Sequence, residues 1–201
     1  LPVKFIPLFE KIELIVKLYR YMFEHACRLY WIRLERGGSP VSLAVNVSKA
    51  GLFQNDFVDF YTDIKDKYSV PDGVLELEFT ESMLAADTEL FAELVVNLNA
   101  RGFICSLDDF GSGYSSLNLL KNLPIDVLKL DILFFHKSRD IRRERIVVSN
   151  VINMARELNI KTIAEGVEDM DTVEFLRKAG CNVIQGYVFA KPCLRRILNI
   201  C

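Results

Sequence analysis

The chain has 201 residues, 51% of them hydrophobic and 26% charged, with 25 Lys and Arg against 27 Asp and Glu for a net charge of −2. This is the composition of one globular domain over residues 1–201, long enough to bury a sizeable core. It carries no basic excess to neutralise a nucleic-acid polymer or an anionic membrane, no run near the ~18 apolar residues of a membrane span, and no signal layout at Leu1–Pro7.

In chain order, Leu8, Ile12, Ile15, Leu18, Met22, Ala26, Tyr30 and Leu34 form the stripe of an amphipathic helix that Gly37-Gly38-Ser39-Pro40 ends. The β-branched VSLAVNVS (41–48) predicts a strand, and Phe53, Phe57, Phe60, Tyr61 and Ile64 predict a second helix. Strand-like VLELEFTE (74–81) precedes a helix opened by Asp87 and carried by Phe91, Leu94, Val95 and Leu98. FICSLDDF (103–110) leads into a Gly/Ser loop and a short helix, and VLKLD (127–131) into a long helix over 141–159. TIAEGVE (162–168), a helix through Val173 and Leu176, and the strand NVIQGYVFA (182–190) close the series.

Six strands alternating with helices require parallel βαβ units, hence an α/β fold. Polar residues recur toward the strand C-termini: Asn46, Glu78 with Glu81, Asp108 with Asp109, Lys129 with Asp131, Glu165 with Glu168, and Gln185. From 46 to 185 their mean step is about 28 residues, close to the ~31 of one unit of an eightfold barrel, whose strand ends meet at one mouth. Only six strands are legible where eight would close such a barrel.

Convergence would gather Asn46, Glu78, Asp108, Asp109 and Glu165 into an all-oxygen set. So many carboxylates cannot stay ionised together without cations, and oxygen donors with no His or Cys pair suit Mg²⁺ or Mn²⁺ rather than zinc. Adjacent Asp108 and Asp109 suit two ions activating water beside a phosphodiester, and Lys129 adds a cation for the attacking water or a phosphoryl oxygen. Taken singly, the Asp pair would be a solvated turn, Glu165 and Glu168 a helix start, Lys129 a surface lysine and Asn46 a turn residue; their common phase along successive units points to function. His25 and His136 are assigned to structure or surface. The five cysteines are scattered without C-x-x-C spacing and read as reduced thiols. Gly111-Ser112-Gly113-Tyr114-Ser115, directly after the Asp pair, reads as a hydroxyl-rich lid and not as a Walker loop.

The ordered set FIPLFEK, VNVS, LELEFTES, DDFGSGYSSL, LPIDVLKLD, AEGVE, GC and QGYVFAKP, spanning residues 5–192, resembles the EAL domain, the bacterial cyclic di-GMP phosphodiesterase module. The resemblance implies a TIM-like (β/α)₈ barrel with one antiparallel strand, hydrolysis of cyclic di-GMP to linear pGpG, and two Mg²⁺ or Mn²⁺ ions. By position, Asn46, Glu78 and Asp108 would hold the first ion and Asp108, Asp109 and Glu165 the second. Lys129 would orient or deprotonate the water, Gln185 and Glu168 would position phosphate and water, and Glu81 would anchor the lid. Ser112 stands for the family's usual Thr, Glu13 for its Gly, and Cys193-Leu194 for its second Pro-containing turn. The family's naming Glu-Ala-Leu motif lies upstream of FIPLFEK, so the first two strands are expected to be missing from this chain, and with them one metal-ligating Glu. The resemblance also implies a homodimer and a fused sensor or GGDEF domain upstream, while the reduced thiols point to a cytoplasmic location, of the protein alone or of the cytoplasmic part of a membrane-anchored one. The alternative is a catalytically inactive EAL-type module that binds cyclic di-GMP or a protein partner.

Overall fold

The computed structural model describes residues 6, 8, 9, 11, 14–84, 88–110, 120–131 and 140–191. The lid 111–115, Asp87, His136, Cys193 and Cys201 lie outside them. The described residues form two compact units, one of residues up to Leu107 together with 120–125, the other of Asp108–Phe110 and the residues from Asp126 onward.

The first unit opens with α1 (Ile15–Glu35), which buries Ile15, Phe23, Cys27 and Tyr30. The chain leaves α1 through Gly37 at φ 74°, where the Gly37 and Gly38 N–H groups donate to the Leu34 and Arg33 carbonyls at 2.8 and 2.9 Å. Next come β1 (Leu43–Asn46), α2 (Lys49–Leu52) and α3 (Phe57–Lys67). Phe53 does not join α3 as its spacing predicts; it caps α2 and stays exposed, and α3 starts at Phe57. The Ser48 hydroxyl accepts from Gly51 N and starts a new helix there, which breaks the run.

In β2 (Leu75–Thr80) the period of two is realised. Leu75, Leu77 and Phe79 are fully buried on one face, while Glu76 and Glu78 share the other. β1 and β2 pair in parallel with Asn46 opposite Glu78. The short α4 (Glu81–Leu84) and α5 (Thr88–Ala100) follow. Phe91 of α5 meets Phe79 edge-on at 5.0 Å, and Phe23, Tyr61 and Phe103 complete an aromatic core. β3 (Ile104–Phe110) is shared: its first four residues belong to this unit, where the strand order is β1-β2-β3.

The second unit takes up the end of β3 and continues with β4 (Val127–Leu130), α6 (Ile141–Glu157), β5 (Lys161–Ala164), α7 (Met170–Ala179) and β6 (Val183–Ile184), in strand order β3-β4-β5-β6. β4–β5 and β5–β6 are parallel. Both long helices begin at aspartates: Asp140 accepts from the Arg142 and Arg143 N–H groups, and Asp169 from the Thr172 N–H and hydroxyl. Gly180, left-handed at φ 88°, ends α7.

The strand expected over 182–190 shrinks to Val183–Ile184. Gly186 there packs against the Val167 backbone, and Val188 N donates to the Val167 carbonyl, so the chain turns instead of extending. Cys27, Cys105 and Cys181 are free thiols. Among the described residues no helix is long and apolar enough to cross a membrane.

Candidate functional site

In the second unit, β3 carries Asp108 and Asp109 as its penultimate pair. Adjacent strand residues ordinarily point to opposite faces. Asp109 departs from that alternation with a left-handed φ of 56°, and its N–H donates to Asp108 Oδ1 at 2.9 Å. A positive φ is uncommon for a residue with a Cβ, although Asp tolerates it better than most.

β4 is buried at every residue, so Lys129 sits with only 7% of its surface exposed, flanked by fully buried Leu128 and Leu130. Its Nζ lies 2.7 Å from Glu165 Oε1 and 4.0 Å from Asp108 Oδ1. Glu165 follows the last residue of β5, where its N–H donates to the Leu130 carbonyl at 2.9 Å. The ladder that aligns β4 with β5 therefore sets the lysine–glutamate pair.

The Asp109 carboxyl is raised above the usual carboxylate range, first by desolvation and then by Asp108, Asp131 and Glu165, while Lys129 opposes the shift. Asp131 thus belongs to the electrostatics of the site, a part that its place two residues after Lys129 made findable and that the reading of the sequence left unassigned. Glu168 and Gln185 are exposed. The Gln185 backbone ties the segment together, its N–H donating to the Ala164 carbonyl at 2.8 Å and its carbonyl accepting from Val167 N at 3.1 Å.

In the first unit, Asn46, the last residue of β1, is the register partner of Glu78 within β2, and Val47 N donates to the Glu78 carbonyl at 3.1 Å. Glu78 and Glu81 are buried. The structure thus groups Asp108, Asp109, Lys129 and Glu165 in one unit and Asn46 with Glu78 in the other.

In kind, the donors fit a hard divalent cation: they are carboxylate oxygens, one of them raised by desolvation and then by its acidic neighbours. In spacing, among the described residues no three His, Cys, Asp or Glu side chains are arranged to hold an ion. Asp108 and Glu165 instead both approach the Lys129 ammonium.

A profile of the EAL domain matches residues 1–192. The chain belongs to the EAL domain family. This EAL domain is 36% identical over 191 residues to the Pseudomonas aeruginosa protein named bifunctional diguanylate cyclase/cyclic di-GMP phosphodiesterase MucR, an alignment covering 95% of this chain and 28% of that protein. It is 33% identical to the cyclic di-GMP phosphodiesterase PA2567 of the same organism, over 96% of this chain and 33% of the relative. The chain therefore spans about a third or less of these relatives' length. Among solved structures, the phosphodiesterase PaMucR in complex with c-di-GMP superposes with a TM-score of 0.89 at 36% identity, covering 98% of this chain and 80% of that one. The EAL domain of Mycobacterium smegmatis DcpA gives 0.84 at 33% identity, with coverages of 92% and 84%. These likenesses place the chain in the TIM-like α/β class that its sequence implied. EAL phosphodiesterases are generally dependent on divalent metal.

Proposed function

We propose that this EAL domain is a phosphodiesterase that hydrolyses cyclic di-GMP to linear pGpG with two Mg²⁺ or Mn²⁺ ions. The observation that carries the reading is a buried lysine held by Glu165 and Asp108 beside the strained Asp109, on the strand ends of one unit. Burying a charge is costly, and this one is buried among carboxylates that recur at successive strand ends.

In this reading Asn46, Glu78, Asp108, Asp109 and Glu165 are assigned as metal ligands from their places in the family motifs alone. Bound divalent ions would screen the phosphodiester charge and acidify water. Lys129 presents Nζ–H groups toward the attacking water or a phosphoryl oxygen, and Glu165 orients that ammonium through its 2.7 Å contact. Glu168 and Gln185 position phosphate and water, and Glu81 keeps the role that its motif carries in the family. The homodimer and a fused sensor or GGDEF domain remain part of the reading as partners.

A second reading, a cyclic di-GMP receptor without turnover, is favoured by the lack of three acids in metal-holding spacing among the described residues. Turnover separates the two. Linear product should appear with Mg²⁺ or Mn²⁺ and disappear with chelator, and Asp109→Asn, which keeps side-chain volume, should lower kcat by about 10²-fold or more. Saturable binding of cyclic di-GMP with no product in either metal would select the receptor, and undiminished turnover of Asp109→Asn would remove Asp109 from the site.

A further inference from the structure

The arrangement around Lys129 has a consequence for metal binding itself, which rests on the divalent-metal reading above. The Lys129 ammonium lies 2.7 Å from Glu165 and 4.0 Å from Asp108, two of the carboxylates assigned to the ions. Its side chain is 8% exposed, theirs 25% and 17%, so little solvent screens the three charges from one another. Neither end of the pair is free to drift. Lys129 is held in a strand buried on both faces, between Leu128 and Leu130, and Glu165 is tied by its own N–H to the Leu130 carbonyl.

A divalent ion of the Mg²⁺ class binds carboxylate oxygen at about 2.0–2.1 Å. To take the Glu165 oxygen that Lys129 holds, it must displace the ammonium or accept a positive neighbour. Either route subtracts from its affinity. We infer that Lys129 is a built-in cation that competes with divalent metal for Glu165 and Asp108, and so sets how tightly the protein holds its ions. This accounts for why Glu165 and Asp108 both lie beside Nζ. Without metal, the lysine neutralises carboxylates that would otherwise repel; with metal, it is released toward the reacting groups. By linkage, whatever the ammonium contributes to the metal-free protein is withdrawn from metal affinity.

The opposite role makes the opposite forecast. If Lys129 only propped Glu165 in place for the metal, its removal would weaken metal binding. The test is Mn²⁺ binding by calorimetry to the wild-type protein, Lys129→Met and Lys129→Arg, with thermal melts of each in chelator and in excess Mn²⁺. Lys129→Met should bind Mn²⁺ tighter by on the order of tenfold, melt below wild type in chelator, and recover most of that loss in Mn²⁺. Lys129→Arg, which keeps the charge, should bind close to wild type. Lys129→Gln carries the same expectation as Lys129→Met and serves if the apolar variant does not fold without metal. Wild-type binding with equal or weaker affinity in both neutral variants overturns this inference alone. Absence of Mn²⁺ binding in every form overturns the divalent-metal reading along with it.

Discussion

Replacing Gly186 by alanine tests the close crossing that ends β6. A Cβ there would stand 2.0 Å from the Val167 carbonyl oxygen, 2.3 Å from its nitrogen and 2.6 Å from its carbonyl carbon. Ordinary contact begins near 3.4 Å, so the two segments must part by about 1.4 Å. The obstacle is backbone, with no side chain to swing aside. Two hydrogen bonds span this crossing, Val167 N to the Gln185 carbonyl and Val188 N to the Val167 carbonyl, both 3.1 Å. A parting of that size takes them beyond bonding distance. Losing two bonds at about 1 kcal/mol each, and leaving polar atoms of buried Val167 unpartnered at about 1 kcal/mol more, predicts a destabilisation of about 3 kcal/mol. In a domain of this size that lowers Tm by about 6–12 °C. Urea denaturation followed by circular dichroism, with calorimetry for Tm, reads it directly. Stability within about 0.5 kcal/mol of wild type would show that the crossing yields at no cost and that the close approach explains nothing. Because Gln185 precedes the glycine, turnover should fall as well.

Asp72→Ala strips its partner from buried Lys65, whose Nζ lies 2.5 Å from Asp72 Oδ1, and should destabilise by about 2 kcal/mol. Asp59→Ala breaks an exposed pair with Arg101 at 3.3 Å and should change stability by less than about 0.5 kcal/mol, so equal losses by denaturant titration would contradict the ranking by burial. Burial pushes the Cys27 thiol from its ordinary value of 9.0 up to about 12. The unfolded chain therefore releases this proton first, stability should fall as pH rises from 9 to about 12, and a Cys27→Ser variant should flatten that slope; an unchanged slope would exclude Cys27 as its source. Ca²⁺ should bind the carboxylates yet fail to support turnover, because its longer bonds and higher coordination number misplace water and phosphate; hydrolysis at the Mg²⁺ rate would contradict a tightly spaced pair of ions.

Local rules acting within a few residues made much of this protein legible from its sequence. The alternation in LELEFT put Leu75, Leu77 and Phe79 on one face and Glu76 and Glu78 on the other, as the structure has them. The repeat of strand, polar end and helix gave the parallel α/β class and the candidate residues, and the ordered motifs gave the family. Asp108, Asp109, Lys129 and Glu165 were singled out from that phase alone, and the structure groups them.

What the sequence left open depends on residues far apart in the chain. That Lys129 would be claimed by Glu165 follows from the β4–β5 register, which hydrogen bonds decide. The end of β6 is decided by Gly186 meeting the backbone of Val167, a steric event with no periodic signature. Periodicity reports which face a residue occupies, because burial of apolar surface is additive along an element. Charge pairing and close backbone contact need two elements at fixed separation, and only the packed structure supplies that distance.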